Sequence, residues 1–401
     1  MAERHEVVFV DGVRTPFGRA GEKGMYWNTR ADDLIVKAIV GLLERNPDLP
    51  QDRIDEVAIA ATTQQGDQGL TLGRTAALLA GLPKSVPGFA IDRMCAGAMT
   101  SVTTLAGGIA FGAYDLTLAG GVEHMGRHPM GFGADPNPRF LSEKLVSAEA
   151  LNMGSTAERI HDRFPELTKE RSDRYALASQ QKAAAAYENG KLQPDLIPVS
   201  IRSESGWGLA TRDEALRPET TLEGLAGLKT PFRPHGRVTA GNASGLNDGA
   251  TISLLASEAA AKELGLTAKM KLVSFAFAGV EPEIMGIGPV PSTEKALKKA
   301  GLSITDIGLF ELNEAFAVQV LSLLDHFGIA DDDPRVNQWG GAIAMGHPLA
   351  SSGVRLMIQL AAQFKERPDV RYGLTAMCVG LGQGGSVIWE NPYFDGKKKK
   401  K

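Results

Sequence analysis

The sequence contains little cysteine. Only two cysteines occur among its 401 residues, Cys95 and Cys378, and neither belongs to a CxxC pair. So small a number excludes the disulfide framework of a small secreted domain, and the spacing favours neither a zinc ribbon nor a thioredoxin-like motif. Two separate thiols remain, each of them either reactive or inert.

The sequence also lacks a strong excess of one sign of charge. Its formal net charge is −4, so no global basic field is present to hold nucleic acid or an anionic membrane surface. An anionic ligand must therefore be bound by local cations. We expect no nucleic-acid partner.

Long hydrophobic runs are missing from both ends of the chain. Charged residues occur within the first six positions, and the apolar run 7–10 is too short for a signal peptide or a spanning helix. The chain ends in five lysines after Gly396, without a peroxisomal signal. We expect a cytoplasmic protein with no transmembrane segment and a solvated basic tail; the alternative for the tail is weak contact with an acidic partner.

The chain is long enough for several packed units, because 401 residues with 43% hydrophobic content exceed one ordinary core. In its first part, short apolar runs alternate with amphipathic stretches. Such alternation predicts an α/β fold with a mostly parallel sheet. The predicted strands are 5–11, 55–61, 88–92 and 115–121, and the predicted helices are 31–44, 71–80 and 95–111.

The same alternation returns near the end of the chain, which indicates an internal repeat. The predicted strands there are 271–278, 307–311, 371–378 and 385–389, and the predicted helices are 292–300, 314–327 and 352–364. The helix that begins at Cys95 corresponds to the glycine-rich segment before Val354. Both are so rich in small residues that we expect them to be buried between layers, since close backbone approach needs small side chains.

A stretch richer in charge, proline and glycine separates the two copies. Its helical piece 172–188 is amphipathic, so we interpret the stretch as a structured insertion that covers a site. The predicted division is an N-terminal half at 1–122, a loop domain with a return strand at 123–257, a C-terminal half at 258–392 and a basic tail at 393–401.

Cys95 lies where a predicted strand gives way to a helix, in the string IDRMCAGAM. Unpaired backbone N–H groups and the positive end of the helix dipole favour a thiolate at such a position and lower the thiol pKa. The residue is therefore a candidate nucleophile. The alternative is an inert, buried cysteine.

Three further positions follow predicted strands or a glycine-rich segment. His347, in GGAIAMGHP, is held in a glycine-rich backbone, where it can activate a thiol or donate to an oxyanion; the alternative is a hydrogen-bonded loop histidine. Cys378 opens CVGLGQGG, whose backbone N–H groups can form an oxyanion hole, unless the glycines serve a tight bend. Asn313, in NEAFA, suits a helix N-cap or the binding of a water or substrate oxygen. All four lie at strand ends, which favours one common site.

Ordered motifs along the whole chain resemble those of the thiolases. They are RTPFG, IDRMCAGAM, LAGGVEHM, MGSTAE, RPETT, TAGNASGLNDGA, MGIGPVP, ELNEAFA, NQWGGAIAMGHP and CVGLGQG. The resemblance implies two similar βαβαβ halves in a layered αβαβα arrangement, plus an inserted loop domain. It also implies a homodimer or homotetramer.

The resemblance assigns roles to the candidate residues. It implies that Cys95 becomes acylated, that His347 activates it, and that Cys378 moves a proton on and off the acetyl-CoA carbon. Asn313 would hold a water that, with His347, stabilises the enolate or thioester oxygen, and the N–H groups of Cys95 and Gly380 would stabilise the tetrahedral intermediate. Such chemistry needs no cofactor and no metal, with CoA and acyl-CoA as substrates.

Coenzyme A contacts follow from the same resemblance. Arg217 and Ser244 are similar to positions that meet the nucleotide and pantetheine. The apolar lining of the tunnel would come from Met153, Leu228, Phe232, Ala240, Met285, Ala315 and Phe316, with ordinary packing as the alternative for each.

Four features depart from the common thiolase pattern. Asp92 stands where many thiolases have Asn, and an ionised carboxylate there would oppose thiolate formation. The residues after Cys95 read AGA. Asn152 and Trp339 stand where short-chain enzymes often have His and Asn, which speaks against short-chain specificity.

The strings GGVEHMGRHPMG and CVGLGQG are more similar to β-oxidation thiolases than to biosynthetic acetoacetyl-CoA enzymes. We therefore expect cleavage of medium or long 3-oxoacyl-CoA with CoA, with a hydratase/dehydrogenase subunit as a candidate partner. The alternatives are a biosynthetic thiolase, a decarboxylating ketoacyl synthase, a silent lipid- or CoA-binding protein, and a zinc site formed by Cys95, Cys378 and His347.

Overall fold

The computed structural model describes residues 4–204 and 206–396, so the terminal lysines lie outside the described residues. The strands are β1 Val7–Arg14, β2 Gly18–Arg19, β3 Glu56–Ala60, β4 Gly88–Ile91, β5 Leu116–His124, β6 Val199–Ser203, β7 Gly206–Ala210, β8 Asn247–Ser257, β9 Met270–Gly279, β10 Ile307–Leu312, β11 Tyr372–Val379 and β12 Gln383–Glu390. The helices are α1 Ala31–Arg45, α2 Leu72–Leu79, α3 Gly97–Phe111, α4 Arg139–Ser142, α5 Met153–Arg163, α6 Lys169–Glu188, α7 Leu222–Ala226, α8 Glu258–Glu263, α9 Pro289–Ala300, α10 Ala317–Phe327, α11 Ala342–Met345 and α12 Ser352–Glu366.

Ten strands form a sheet in which the two halves of the chain repeat one order. In the first half β1 is followed by β8, β5, β3 and β4, and in the second half β9 is followed by β12, β11 and β10. A parallel bridge from Phe310 to Val336 takes the place that β4 has in the first half. The internal repeat is therefore confirmed by the sheet order, while the predicted domain boundaries stay a prediction.

The expectation of a mostly parallel sheet is wrong. β3 pairs in parallel with β4 and β5, and β10 with β11. The β1–β8, β5–β8, β9–β12, β11–β12 and β1–β9 pairs are antiparallel. The connections explain the difference: a tight turn joins β11 to β12 and permits only an antiparallel pair, and β8 returns from the long insertion without a crossover helix.

The helices and sheet halves form the αβαβα layers expected for this fold class. One hydrophobic cluster packs α1, through residues such as Leu34, on the first half-sheet. A second packs α10, through residues such as Leu321, on the other half-sheet. The third lies between them and contains Met99 of α3 and Met357 of α12.

The two central helices approach closely because glycine stands at their contact. A Cβ atom on Gly353 would lie 2.6 Å from the backbone nitrogen of Met99, and one on Gly97 would lie 2.9 Å from the Cβ of Ala350. The expectation that these small-residue segments are buried between layers is confirmed. The stretch Met94–Phe111 is long and apolar enough to cross a membrane by length and composition alone, but 67% of it is buried within this fold.

Helices α6 and α9 begin three residues earlier than expected, at Lys169 and Pro289, and two helices beside the catalytic candidates begin later than expected. α3 begins at Gly97 after a 3-10 turn, Met94–Ala96. α10 begins at Ala317 rather than at 314. The Glu314 carboxylate, which accepts hydrogen bonds from buried side chains of α6, keeps the preceding segment out of the helix.

Candidate active site

Cys95 lies in the 3-10 turn between β4 and α3, and 6% of it is exposed. Met94, just before it, has a left-handed backbone with a φ of 44°, which is uncommon for a residue other than glycine. The Asp92 carboxylate accepts a hydrogen bond of 2.6 Å from the Met94 backbone N–H. This tight turn places the thiol at the N-terminal end of a buried helix.

Burial decides the charge state of the Cys95 thiol. It raises the pKa of Cys95 to about 12, and the nearby Glu123 and Asp92 carboxylates act in the same direction, while the backbone N–H of Gly380 opposes them. The expectation that the helix N-terminus lowers this pKa is therefore wrong for the net effect, because desolvation of the charged form is larger. The Asp92 carboxylate thus opposes formation of the Cys95 thiolate, as the sequence indicated. Without substrate the group is a neutral thiol that needs a base.

Glu123 holds the two halves together beside this thiol. Its fully buried carboxylate accepts hydrogen bonds from the backbone of Thr62 and from the side chain of Gln68, both in the first half. Across the seam, which is the boundary between the two halves, it accepts a third from the backbone of Ala350 at 3.2 Å. Ala350 belongs to the turn that follows His347. The carboxylate thus fixes the position of the histidine segment relative to the cysteine segment.

His347 is a buried imidazole with defined partners. Its Nδ1 lies 2.6 Å from the Ser352 hydroxyl, and its backbone N–H donates to the Asn247 side chain at 3.0 Å. Burial, aided by the positive charge of Arg355, lowers the pKa of His347 to about 3. The ring is therefore neutral near pH 7 and is available to accept a proton.

Asn313 contacts this imidazole directly. Its Nδ2 lies 3.3 Å from Nε2 and 3.4 Å from Nδ1 of His347, and its backbone N–H donates to Ala376 at 2.9 Å. The N-cap of α10 is Phe316, so the interpretation of Asn313 as a helix N-cap is wrong. Its side-chain NH2 group faces His347 instead.

Cys378 and Gly380 approach Cys95 from the end of β11. Cys378 is fully buried, and its pKa is raised by burial and by the neighbouring Cys95. Beyond it, Leu381 and Gly382 both have positive φ, at 58° and 74°. This bend directs the Gly380 N–H to the Cys95 thiol, where it favours the charged form of sulfur.

These segments meet in one place. The turn Met94–Ala96 contacts both the turn Leu349–Ser351, which follows His347, and strand β11, which carries Cys378. The segments that carry the polar groups indicated by the sequence thus lie close together, and the roles of those groups stay predictions. No group of three or more His, Cys, Asp or Glu side chains within residues 4–204 and 206–396 is arranged to hold a metal ion, so the zinc alternative gains no support.

The candidate CoA-binding residues fall into two sets. Four of them belong to the interior around the site: Met153 is half-buried with its sulfur 3.5 Å from a Cβ built on Gly380, and Met285, Ala315 and Phe316 are buried. Ser244 hydrogen bonds to the backbone of Ala315 at 3.0 Å through its own N–H.

The second set lies at the surface of the insertion. Leu228 and Phe232 are 38% and 37% exposed, and Ala240 and Arg217 are exposed as well. The Phe232 ring lies against Gly154, next to Met153. The Arg217 guanidinium donates to carbonyls of its own loop at 2.9 and 3.0 Å.

Two of the departures from the thiolase pattern have structural roles. The Asn152 side chain caps α5 by accepting a hydrogen bond from the Ser155 N–H at 3.1 Å. Trp339 packs in a separate hydrophobic cluster with Tyr187 and Met345. Within the described part of the chain, neither side chain forms a hydrogen bond with Cys95, His347, Cys378 or Asn313.

Sequence reasoning missed the buried groups behind the site, above all Arg355 and Glu311. Arg355 donates to the Asn313 side-chain oxygen at 3.3 Å and lies 3.7 Å from the Glu311 carboxylate. A signal was present, since Arg355 is the one charged residue of α12 before its last turn.

A buried thiol beside a neutral imidazole and a second thiol, in a repeated five-layer fold, defines an acyl-transferring enzyme with a cysteine nucleophile. Two family models match the chain: thiolase, N-terminal domain, at residues 7–259, and thiolase, C-terminal domain, at residues 266–391. The chain belongs to the thiolase family and is an acyltransferase.

Named relatives agree with this assignment. A 3-ketoacyl-CoA thiolase of Aliivibrio fischeri is 44% identical over 96% of this chain and 99% of its own. A 3-oxoadipyl-CoA/3-oxo-5,6-dehydrosuberyl-CoA thiolase of Escherichia coli is 43% identical over the same shares. The crystal structure of human mitochondrial 3-ketoacyl-CoA thiolase matches with a TM-score of 0.88 at 34% identity, over 97% of this chain and 100% of that one.

Proposed function

We propose that this chain cleaves 3-oxoacyl-CoA with CoA, giving acetyl-CoA and an acyl-CoA shortened by two carbons, in the degradative direction of fatty acid β-oxidation. The observation that carries the proposal is the convergence of Cys95, Cys378 and the His347–Asn313 pair, with the Gly380 N–H directed at the Cys95 thiol. CoA and acyl-CoA are the substrates, and no separate cofactor takes part.

The first half-reaction makes an acyl-cysteine. Because Cys95 is a neutral thiol and His347 a neutral imidazole, the proton passes from sulfur to the ring as the sulfur attacks the 3-oxo carbon. The N–H groups of Cys95 and Gly380 donate to the oxyanion that forms. The bond between carbons 2 and 3 then breaks, and its electron pair becomes the enolate of acetyl-CoA.

The enolate takes its proton from the Cys378 thiol. Asn313, together with His347, stabilises the enolate oxygen, which supports proton transfer to a carbon that is otherwise a weak acid. In the second half-reaction Cys378 receives the proton of incoming CoA, whose sulfur attacks the acyl-cysteine. Cys95 leaves and recovers its proton from His347.

The lining of the site favours an apolar acyl chain. A Cβ on Gly380 would lie 2.9 Å from the sulfur of Met94 and 3.5 Å from that of Met153. Methionine adapts its shape to apolar groups. The surface set at Arg217, Leu228, Phe232 and Ala240 would then meet the nucleotide and pantetheine.

A second candidate is cleavage of a dicarboxylic 3-oxoacyl-CoA. It is favoured by the 43% identity to the 3-oxoadipyl-CoA thiolase of Escherichia coli, which differs little from the 44% identity to a 3-ketoacyl-CoA thiolase. A terminal carboxylate would need a cation near the acyl end, and the two methionines beside Gly380 supply none.

Steady-state rates with free CoA on three substrates test the proposal: acetoacetyl-CoA, 3-oxodecanoyl-CoA and 3-oxoadipyl-CoA. We expect kcat/KM to be highest for 3-oxodecanoyl-CoA. A preference for the four-carbon substrate would favour the biosynthetic alternative, and a preference for 3-oxoadipyl-CoA would favour the second candidate. Intact mass after acetyl-CoA should show an acetyl adduct that Cys95→Ala lacks; an unmodified wild-type chain would indicate a silent binding protein.

The proposal extends to assembly and context. We propose a homo-oligomer built on the free edge of the sheet, because β4 pairs with β3 alone among the described strands and exposed leucines lie beside it. A cytoplasmic location and a hydratase/dehydrogenase partner subunit stay predictions from the sequence.

A further inference from the structure

Arg355 is a fully buried cation behind the proposed site, on the face of α12 that also carries Gln359 and Gln363. These three side chains recur every four residues and therefore share one face of the helix. Opposite them lies β10 with Glu311, which accepts a hydrogen bond from Gln363 at 2.7 Å. The chain segment that leaves β10 leads directly to Asn313.

Arg355 determines which end of the Asn313 amide faces the site. A guanidinium carries only donors, so it is satisfied by an oxygen and repelled by an NH2 group. Arg355 Nη2 lies 3.3 Å from Asn313 Oδ1, while Asn313 Nδ2 lies next to His347. A flipped amide would place two donors against each other in a region from which water is excluded.

The buried charges are not explained by stability alone. Arg355 Nη1 and Glu311 Oε2 are 3.7 Å apart, and within the described residues Arg355 Nε and Glu311 Oε2 have no hydrogen-bond partner. Buried ion pairs with imperfect geometry often contribute less to stability than apolar residues of similar size. The position of Arg355 next to Asn313 points to a role in the site instead.

We propose that Arg355 is a positioning residue for the thiolase reaction: it locks the Asn313 amide so that its N–H groups are presented to His347 and to the substrate oxygen. Glu311, 3.7 Å from the guanidinium, offsets part of the charge of Arg355. This inference rests on the proposed function. It assigns to Arg355 a role in enolate chemistry and none in acylation of Cys95.

The positive charge has a second effect on the same site. It adds to burial in lowering the pKa of His347. The imidazole thus stays neutral, and the Asn313 NH2 group faces an uncharged ring. The two effects of Arg355 act on the two partners of one hydrogen-bonded pair.

The test compares Arg355→Met, Asn313→Ala and the double variant by exchange of the acetyl-CoA α-hydrogens in D2O, followed by NMR. We expect Arg355→Met to slow exchange by about 10- to 100-fold, as misplacement of one catalytic group does, with little change in KM for acetyl-CoA and with acetylation of Cys95 preserved. If Arg355 acts through Asn313, the double variant is no slower than Asn313→Ala alone.

Ser322→Ala is the control, since it removes a buried hydroxyl from the neighbouring helix α10 that donates only to the backbone of Gln319, without touching Asn313, Arg355 or Glu311. It should keep wild-type exchange. Arg355→Lys, with one donor group in place of a fork, should recover part of the rate, and it replaces Arg355→Met in every comparison if that variant does not fold. Wild-type exchange in the Arg355 variant, additive slowing in the double variant, or equal slowing by Ser322→Ala would overturn the inference. A wild-type chain that neither acetylates nor exchanges would instead refute the proposed function.

Discussion

Cys95 and Cys378 are both buried, but their different surroundings suit them to different chemical roles. Cys95 begins a helix and receives the N–H of Gly380, which favours negative charge on sulfur. Cys378 lies within a strand, where burial and the nearby Cys95 both raise its pKa. The first thiol is therefore suited to carry an acyl group, and the second to deliver and recover a proton.

Cys378→Ala should separate these two roles. We expect the variant to accept an acetyl group on Cys95 from acetyl-CoA, because His347 and the Gly380 N–H are untouched. It should lose exchange of the acetyl α-hydrogens with solvent, because no group remains to move the proton. Intact mass measures the first property and NMR in D2O the second.

Cys95→Ala is the control, with neither an adduct nor turnover expected. Undiminished exchange in Cys378→Ala would remove Cys378 from the mechanism. Loss of the adduct in that variant would mean that the second thiol supports acylation instead.

At this scale the sequence indicated the residues that stand at strand ends, because periodicity locates such ends. It did not indicate what lies behind them. The Asn313 side-chain oxygen accepts a hydrogen bond from Arg355, which lies 42 positions later in the chain, and periodicity does not reveal such a contact. Likewise the raised pKa of Cys95 follows from burial by distant segments, which outweighs the local helix terminus.

Among the elements, the pair of central helices positions both halves of the site. Cys95 precedes α3 and His347 precedes α12, so the distance between these helices sets the distance between the two side chains. Gly353 and Gly97 keep that distance short. A larger residue at the contact must move one helix away from the other.

Gly353→Ala should destabilise the protein by about 1–3 kcal/mol, the usual cost of overpacking. The added Cβ would lie 2.6 Å from the backbone nitrogen of Met99, which cannot rotate away as a side chain can. We also expect a lower kcat, because His347 and Arg355 lie close to the displaced residue. Denaturant unfolding at a fixed protein concentration and steady-state kinetics measure the two effects.

Gly107→Ala on α3 is the matched control, since a Cβ there would meet no atom within 4 Å. It should leave activity unchanged and raise stability by about 0.5–1 kcal/mol, as alanine does in place of glycine in a helix. Equal stabilities for the two variants would show that helix contact does not limit the fold.

The positions of these helices were predictable because small residues recur along them. The pairing directions of the strands were not, since an apolar run has the same appearance in parallel and antiparallel neighbours. The β11–β12 hairpin and the return of β8 from the insertion decided the matter through chain connection rather than local sequence.

At the scale of the whole molecule, the site lies where the two similar halves of the chain meet. The first half supplies Cys95 and the second half supplies His347, Asn313 and Cys378, so neither half holds the complete cluster. Glu123 crosses the seam to the backbone of Ala350. The two similar half-sheets thus contribute different side chains to one site.

The same sheet ends at β4, whose outer edge is unpaired within the described chain. Next to it, on α2 and just before it, Leu70, Leu78 and Leu79 are 86%, 44% and 56% exposed. An open edge bordered by exposed leucines is suited to pair with a second copy of the chain. We therefore expect sedimentation to give a dimer or a larger even-numbered assembly.

The double substitution Leu78→Lys with Leu79→Lys should shift the protein towards the monomer, because like charges would face each other across a twofold contact. Leu209→Lys, at a residue that is 57% exposed on strand β7 of the separate two-stranded sheet, is the control and should leave the assembly unchanged. A monomeric wild-type protein, or an equal shift with Leu209→Lys, would contradict an interface at this edge. Since β4 leads directly to the Cys95 turn, loss of assembly should also lower kcat, as the turn loses the support of the neighbouring copy.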